Sequence, residues 1–332
     1  MNATTSAGEV ARRPRLDFTV LFARFGTLGS LIALLAFFSF ARSDVFPTVD
    51  NLLNIMSQIS ILGTMAFGLT VCLVMGLFDL SIAAMATLGG YVATFLLVQY
   101  PDSVSVTAAV AASLVTAAVI GILNGLIVSY LGISAFIATL ATGSIITGAV
   151  LGISDSKTII TGIPDEFMTI GQGAIFGVSN PILIMLAVGL ALWLLLEHTQ
   201  LGRHLYAIGG SAEASRLSGI AVKRYAPFAL AVCAACAGLG GLMAAAVLGA
   251  GRPQGVGDGY LLNAFAAVFI GASSLRPGKF HILGTLIGVL LIGVINNGLS
   301  VMGVPTYWQY IVQGLLLVAA LFSAGVLTMR KN

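Results

Sequence analysis

Residues 52–76 read LLNIMSQISILGTMAFGLTVCLVMG, a run without a single charged side chain. About 20 consecutive apolar residues let a helix cross the hydrocarbon core of a bilayer, so this stretch predicts a membrane span. The rest of the chain is similar, with 58% hydrophobic and 8% charged residues, whereas soluble proteins have about 25% charged residues. The 40 glycines agree, because small residues let membrane helices pack closely. The composition predicts an all-α polytopic membrane protein.

Hydropathy divides the chain into about ten predicted spans. They cover approximately residues 20–41, 52–76, 80–98, 105–128, 134–153, 180–196, 226–249, 260–275, 281–302 and 307–328. Only the short segment GLFDLS separates the second span from the third, and the eighth is short enough to be re-entrant. The first has no clear cleavage site, so we interpret it as a span rather than a signal peptide. The predicted regions are an N-terminal tail (1–19), one transmembrane domain (20–328) with a polar loop at 197–225, and a C-terminal tail (329–332).

The basic residues orient these spans. With the N-terminus in the cytoplasm, twelve of the fifteen Lys and Arg residues fall on the cytoplasmic side, and Arg42, Lys157 and Arg252 fall outside. Cytoplasmic loops of membrane proteins carry an excess of Lys and Arg. The split predicts an even number of spans with both termini in the cytoplasm.

The two halves of the chain share short motifs. The fourth span contains GILNGL (121–126) and the ninth GVINNGL (293–299), while the third begins at Asp79 and the eighth near Asp258. Because five is an odd number, a duplicated five-helix unit must be inverted in the membrane. Inverted repeats with a pathway at their interface are typical of transporters. Two small-residue pairs are predicted to be helix-packing contacts, namely Gly121/Gly125 and Gly284/Gly288.

Residues 202–222 read GRHLYAIGGSAEASRLSGIAV and form a polar island, the name used below for this segment. Gly209-Gly210 predicts a break in the chain, Ser211 an N-cap, and AEASRLS two turns of helix. Gly219 is well placed as the residue that ends this helix. The charge pattern places the polar island in the cytoplasm.

The side chains of this short helix suggest its role. Glu213 lies in the first turn and Arg216 further along, which suits the helix dipole. Ala214 and Leu217 are three residues apart and therefore share one face. The helix is interpreted either as a connector lying on the surface or as a docking helix that a separate ATPase subunit pushes.

Motifs of nucleotide-binding and catalytic sites are missing from the sequence. The nearest approach to a Walker A motif, residues 273–280, lacks the first Gly and the final Ser or Thr. The chain is therefore not expected to hydrolyse ATP. Cys233-x-x-Cys236 has redox or metal spacing, but no His or second Cys pair accompanies it, so both cysteines are interpreted as small buried residues. No carboxylate cluster surrounds a histidine. We expect no enzyme activity, metal or cofactor in this chain, and no nucleic-acid partner.

Few titratable groups lie inside the predicted spans. Asp79 is the exception, and we interpret it either as a helix N-cap at a turn or as a polar element near a pathway. Self-driven transporters usually have more intramembrane titratable or ion-ligating groups than this. The uncharged polar residues either hydrogen-bond between helices or line a hydrated path for a neutral polyol. The path residues considered, together with Asp79, are Asn54, Gln58, Asn124, Asn263 and Asn297.

The island, GRHLYAIGGSAEASRLSGI (202–220), resembles the cytoplasmic loop GRYxYAIGGNxEAARLSGI of the permease subunits of ribose-type ABC importers. The resemblance extends from about residue 50 to 326. Its other motifs are NLLNIMSQISILGTMAFGLTVCLVMGLFDLS (51–81), NGLIV with the following FIATLATGSI (within 124–146), LGTLIGVLLIGVINNGL (283–299) and YWQYIV (307–312).

The resemblance implies a bacterial inner-membrane importer for a monosaccharide or similar small polar solute. It implies two permease subunits, identical or related, two ATPase subunits that bind ATP and Mg, and a periplasmic binding protein. The residues expected to couple to the ATPase are Gly210, Glu213, Ala214, Arg216, Leu217 and Gly219. The alternative function is a passive channel or a secondary transporter for small polar solutes.

Some positions depart from the family pattern. GLFDLS (76–81) stands where GGIDLS is usual, Leu261 and Asn263 replace a Glu and an Asp, and Gln313 replaces a Lys. The polar island is intact, so these departures bear on the solute rather than on the transport role.

Overall fold

The computed structural model describes residues 18–315 and Val318, with side chains from Phe25 onward. The helices are α1 (Phe18–Ala41), α2 (Val49–Val74), α3 (Ile82–Gln99), α4 (Val106–Leu131), α5 (Ala135–Ser154), α6 (Asp165–Gln172), α7 (Asn180–His198), α8 (Gln200–Gly210), α9 (Ala212–Leu217), α10 (Tyr225–Leu248), α11 (Asp258–Ala272) and α12 (Ile282–Val301). Residues 306–315 are also helical. A hairpin of two short strands, β1 (Ala174–Ile175) and β2 (Val178–Ser179), lies between α6 and α7.

The described helices confirm an all-α polytopic membrane fold. Within the described ranges, seven helices are long and apolar enough to cross a membrane, and these are α2, α3, α4, α5, α7, α10 and α12. Two shorter apolar helices are Phe25–Ala41, the part of α1 whose side chains are described, and α11. The predicted span 307–328 runs from a described helix into residues outside the described part of the chain. Most of the predicted N-terminal tail and all of the C-terminal tail also lie outside it.

The loop between α5 and α7 contains structure that the sequence did not predict. Helix α6 has eight residues and packs a glycine, Gly171, against the backbone of α10 at Val247. The hairpin that follows turns at Phe176 and Gly177, both with positive φ, as a tight two-residue turn requires. Hydropathy windows of about 20 residues average over elements this short.

Helices α2 and α10 form the antiparallel centre of the bundle. Gly68 of α2 lies against Cys236 of α10, and further towards the start of α2, Met65 lies against Gly240. Helix α10 also packs against α3 and α4, while α2 also packs against α11 and α12. The predicted small-residue contacts are confirmed: Gly121 and Gly125 approach the backbone of α10, and Gly284 and Gly288 approach that of α11.

Helix α3 begins inside the bundle rather than at its edge. After α2, residues 77–80 run without helical structure. The second turn of α3 meets α10 away from its ends, where Gly241 touches the Ala86 carbonyl. We call residues 77–80 the re-entrant segment. It places Asp79 and Ser81, both buried, deep among the helices.

Helix α11 also begins beside the start of α3. The chain leaves α10 and runs back along α3, so that Gly251 packs on Thr94 and Gly257 packs on Ala83. Eleven residues of helix separate these contacts on α3, a distance of roughly 16 Å. Two helices therefore start close together in the interior of the molecule.

Candidate functional site

A cavity of about 420 Å³ lies where these two helices begin. Its walls are the first turns of α3, one face of α5, and the segment 253–258 that precedes α11. The polar groups that line it are Thr87, Ser144, Thr147, Gln254 and Asp258, and the apolar lining includes Leu80, Ala83 and Leu140. A cavity of this size falls within the range of small-molecule sites.

The hydroxyl groups of the cavity can still accept hydrogen bonds. Thr87, Ser144 and Thr147 each donate to the carbonyl oxygen four residues earlier, at 3.2, 3.2 and 3.0 Å. A hydroxyl that donates one proton keeps acceptor lone pairs. The lining therefore combines acceptors and one carboxylate with apolar walls, which suits a small molecule rich in hydroxyl donors.

Sequence reasoning missed these lining residues. Ser144 and Thr147 are three residues apart on α5, and that spacing places both on one helical face. The other polar lining groups come from two distant parts of the chain, so no local pattern marks them as neighbours.

The six residues considered for a path do not line this cavity and do not come together. Asn54 and Gln58 are exposed near the start of α2, where the Gln58 amide donates to Asn54 Oδ1 at 3.2 Å. The two side chains are four residues apart and therefore share one face of α2. Asn263, in the first turns of α11, donates to the Gly259 carbonyl at 2.8 Å.

The other three path residues are buried between helices. Asn297 is 2% exposed, and its Oδ1 accepts from Asn51 Nδ2 at 3.0 Å. Asn124 is 1% exposed, and its Oδ1 accepts from the Thr142 hydroxyl at 2.6 Å. These contacts are interhelical hydrogen bonds, the other interpretation that the sequence allowed.

Asp79 fixes the entry into α3, although it is not the N-cap residue. Ser81 occupies that position, and Asp79 Oδ1 accepts from the Ser81 backbone nitrogen at 2.9 Å and from the Ser81 hydroxyl at 2.5 Å. The N-cap interpretation is therefore corrected by two residues. A short polar side chain that binds the backbone two residues on stabilises a turn.

Asp79 also lies beside two thiols. Its carboxylate, Cys72 Sγ and Cys233 Sγ lie within 4.8 Å of one another. The thiol beside Cys233 in this cluster is therefore Cys72 rather than Cys236, and both thiols are free. Cys72 Sγ donates to the Ala229 carbonyl at 3.3 Å. A structural zinc site takes four protein ligands, and this buried cluster offers three.

The polar island folds into two helices at one end of the bundle. Helix α8 continues through Gly209 and Gly210, so the predicted break falls one residue later, at Ser211. Ser211 is the N-cap of α9, and its hydroxyl accepts from the Ala214 backbone nitrogen at 3.2 Å. Gly219 follows with φ +84°. The predicted N-cap and the predicted terminating glycine are both confirmed.

The end of α9 has the hydrogen bonds of a Schellman motif. The Ile220 nitrogen donates to the Ser215 carbonyl, and the Gly219 nitrogen donates to the Arg216 carbonyl, both at 3.0 Å. Such a motif satisfies the last carbonyls of a helix and requires a left-handed residue, usually glycine. Both ends of this six-residue helix are therefore fixed.

Helix α9 presents most of its surface outward. Ser215 is buried, while Ala214 is exposed and Leu217 is 76% exposed. Glu213 and Arg216 form an exposed ion pair at 2.6 Å. Gly210 is also exposed, and a Cβ added to it would have no neighbour within 4 Å. All six residues predicted to couple to an ATPase are thus near one another on the polar island.

Three contacts join the polar island and the end of α7 to the helix pair α11–α12. The Tyr206 hydroxyl donates to the Phe280 carbonyl at 2.9 Å. Arg276 Nη1 lies 2.7 Å from both carboxylate oxygens of Glu197, at the end of α7. Burial, assisted by the Glu197 charge, raises the pKa of Tyr206 above its usual value. The hydrogen bond with Glu197 raises the pKa of Arg276.

Comparison with known proteins identifies the family. A family model described as "Branched-chain amino acid transport system / permease component" matches residues 51–321. The chain belongs to this family. As a permease component, it is a membrane-embedded part of a transport system and not an enzyme. The predicted resemblance to ribose-type permeases is confirmed by its relatives.

Several relatives of this permease match over nearly their whole length. It is 39% identical to the ribose import permease protein RbsC of Escherichia coli (strain K12), over 88% of this chain and 91% of that protein. It is 32% identical to the D-allose transport system permease protein AlsC and to the L-arabinose transport system permease protein AraH of the same organism. Each of these two matches covers 96% of both chains. No solved structure matches the chain.

Proposed function

We propose that this permease is the membrane-spanning subunit of a bacterial inner-membrane ABC importer for a monosaccharide or a similar small polar solute. The named solutes of the three relatives, ribose, D-allose and L-arabinose, are all monosaccharides. In this proposal ATP and Mg bind to a separate ATPase subunit. A periplasmic binding protein delivers the solute, and a second permease, identical or related, completes the assembly.

The observation that carries the proposal is the free face of α9. A helix of six residues is too short to be stable alone in water, yet this one is capped at both ends and keeps Leu217 exposed. A single exposed Leu is common on protein surfaces, but Leu217 is held outward by a helix with both ends fixed, next to the Glu213–Arg216 ion pair. In this proposal the ATPase covers that face. The coupling residues are Gly210, Glu213, Ala214, Arg216, Leu217 and Gly219.

The arrangement of the central helices supports the finer topology, with ten spans in two inverted repeats. Helices α2 and α10 are antiparallel, and each packs against the two helices that follow the other. Each is also followed by a non-helical segment and then by a helix that starts inside the bundle. A pseudo-two-fold axis in the membrane plane would relate these units. A single transmembrane domain (20–328) with short tails accommodates them.

The charges support an orientation with both termini in the cytoplasm. Six described basic residues lie at the end that carries the polar island: Arg203, Arg216, Lys223, Arg224, Arg276 and Lys279. Three lie at the opposite end, which are Arg42, Lys157 and Arg252. The positive-inside rule therefore favours a cytoplasmic position for the polar island, where an ATPase could reach it.

The cavity between α3, α5 and residues 253–258 is the proposed path for the solute. Its hydroxyl acceptors and Asp258 can bind sugar hydroxyl groups, while its apolar walls limit the strength of binding. Weak binding suits a subunit that passes the solute on, because a path must release what it binds. Of the path residues suggested by the sequence, Asp79, Asn124 and Asn297 hold segments around the path in this proposal. Asn54, Gln58 and Asn263 remain candidates for lining the path beyond this cavity.

Binding of the ATPase tests the role of α9. Leu217→Asp should abolish co-purification of the ATPase subunit, because a charge would be buried in an apolar contact. Ile160→Asp, a matched control at the opposite end of the bundle with 70% exposure against 76% for Leu217, should leave binding unchanged. Equal binding by both variants would remove α9 from the docking surface.

Reconstitution tests the transport function against the alternative. The permease should move sugar into proteoliposomes only when the ATPase, the binding protein and ATP are present. A flux of solute through the permease alone would favour the passive channel or the secondary transporter instead.

A further inference from the structure

A row of aromatic side chains leads from the polar island into the bundle. It starts at Tyr206, whose hydroxyl donates to the Phe280 carbonyl at 2.9 Å. The ring of Phe280 meets the ring of Phe269 edge to face, with 5.3 Å between centroids and 83° between planes. Phe269 belongs to α11, so this part of the row joins α8 to α11 through the loop before α12.

The row continues into the re-entrant segment. Phe78 stacks on Phe269 at 6.4 Å and on Phe265 at 6.1 Å between centroids. These distances are within the range of favourable aromatic pairs. Phe265 and Phe269 lie one turn apart on α11, so the Phe78 ring rests along this helix.

The last step reaches the cavity. Leu80, two residues after Phe78, lines the cavity wall. Its backbone nitrogen donates to the Thr139 hydroxyl of α5 at 2.9 Å. The same hydroxyl lies 3.3 Å from the Phe78 carbonyl oxygen and 2.7 Å from the Ala135 carbonyl oxygen, which is the nearer acceptor for its single proton. The row therefore ends on a segment that touches two walls of the proposed path.

The re-entrant segment can move when the aromatic side chains of the row are displaced. Its residues have no helical structure, and the contacts that hold it include the Thr139 hydroxyl and the rings of α11. Segments held by few backbone hydrogen bonds open at a lower free-energy cost than helices do. Small changes in the packing of Phe78 can therefore shift Leu80 without unfolding α2 or α3.

We propose that Phe280, Phe269 and Phe78 form a positioning relay that transmits displacement of the polar island to the re-entrant segment and so to the cavity. The proposal rests on the proposed function, in which an ATPase displaces the island. Rings suit this role because they are rigid and contact one another over large, defined surfaces. A displacement of Phe280 must therefore move Phe269 or break their contact.

Ordinary core packing would produce similar contacts, so the test must separate coupling from stability. Phe280→Leu and Phe78→Leu keep apolar side chains but remove the ring contacts. Phe78 is 40% exposed, so its substitution leaves the core filled. Phe95→Leu is the matched control, because Phe95 stacks on Tyr91 at 6.1 Å in α3 and lies outside the row.

The experiment measures ATP hydrolysis and sugar uptake together in proteoliposomes that contain permease, ATPase and binding protein. Phe280→Leu and Phe78→Leu should raise the ATP hydrolysed per sugar carried about fivefold or more, the size of a typical coupling between sites. Phe280→Tyr, which keeps an aromatic ring at this position, should keep the wild-type ratio. Phe95→Leu should leave the ratio unchanged, whatever its effect on the amount of folded protein.

The outcomes separate the relay from the proposed function. If wild-type uptake depends on ATP and both Leu variants keep the wild-type ratio, the rings only pack and the relay is overturned alone. If the ratio rises equally in Phe95→Leu, the effect is general and the relay is again overturned. Wild-type uptake that does not need ATP would overturn the proposed function and the relay together.

Discussion

Gly209, near the end of α8, lies directly against the carbonyl oxygen of Val74, the last residue of α2. A side chain at residue 209 would collide with this oxygen, whereas one at Gly210 would meet no atom within 4 Å. The chain enters the re-entrant segment just after Val74. The polar island and the re-entrant segment therefore share a contact that depends on the absence of a side chain.

Gly209→Ala should separate α8 from α2. A methyl group that collides with backbone cannot be accommodated by a rotamer change, and overpacking of this kind costs about 1–3 kcal/mol. We expect a lower thermal denaturation midpoint in detergent and reduced ATP-driven uptake. Gly210→Ala is the matched control for the denaturation midpoint, which should stay the same or rise, since Ala favours helix by about 1 kcal/mol over Gly. Its uptake is not a control, because Gly210 belongs to the proposed coupling surface. Equal behaviour of the two variants would contradict the close contact.

The caps of α9 could be predicted from the sequence because they depend on residues within one helical turn. Ser211 and Gly219 act through backbone groups no more than four residues away. The seven described helices that can span a membrane were predictable for a similar reason, because each depends on its own hydropathy. Their ends were less certain where α3 and α11 start inside the bundle, since such ends do not coincide with a change from apolar to polar residues.

The candidate path could not be predicted, because it is formed by distant segments. Ser144 and Gln254 line one cavity only because α5 and the segment before α11 pack on the same part of α3. For Asn297 the sequence suggested a place in the path, because the residue is polar. The structure gives it a hydrogen bond from Asn51, which is 246 residues away in the chain. Polarity alone does not tell whether a side chain binds another helix or a solute.

Asn297→Ala should affect stability rather than transport. The substitution removes the hydrogen bond from Asn51, which keeps its second bond to the Phe46 carbonyl at 3.0 Å. Interhelical hydrogen bonds in membranes contribute about 0.6 kcal/mol on average, so the denaturation midpoint should fall slightly. Asn54→Ala, at an exposed site, should leave it unchanged. Loss of uptake by Asn297→Ala with an unchanged midpoint would instead place Asn297 in the path.

Thr147→Val should weaken recognition of the solute in the cavity. The substitution keeps the shape of the side chain and removes a hydroxyl worth about 0.5–1.5 kcal/mol as a hydrogen-bonding group. The KM for uptake should rise about two- to tenfold. It is measured by varying the concentration of sugar-loaded binding protein at saturating ATP. Thr116→Val is the control, because Thr116 makes the same bond to the carbonyl four residues earlier but lies on α4, outside the cavity. A KM that stays the same in both variants would rule out this cavity as the path.

The buried histidine before α12 should make the permease less stable in acid. His281 is 4% exposed, its Nδ1 lies 3.0 Å from the Lys279 carbonyl oxygen, and its Nε2 has no hydrogen-bond partner among the described residues. Burial lowers the pKa of His281 below its usual value, because the charged ring would lose its hydration.

The lowered pKa of His281 makes the folded permease lose stability as the pH falls. Because the pKa of His281 is lower in the folded than in the unfolded protein, its stabilising contribution is complete above the unfolded pKa of about 6.5. It is lost as the pH falls from there through the folded pKa. The fall in denaturation midpoint between about pH 7.5 and about pH 5.5 should therefore be larger for the wild type than for His281→Gln, which cannot take up a proton. Ser274→Ala, a change of a buried hydroxyl in the same loop, controls for altered packing and should keep the wild-type dependence. A His281→Gln variant with the full acid sensitivity of the wild type would assign that sensitivity to other groups.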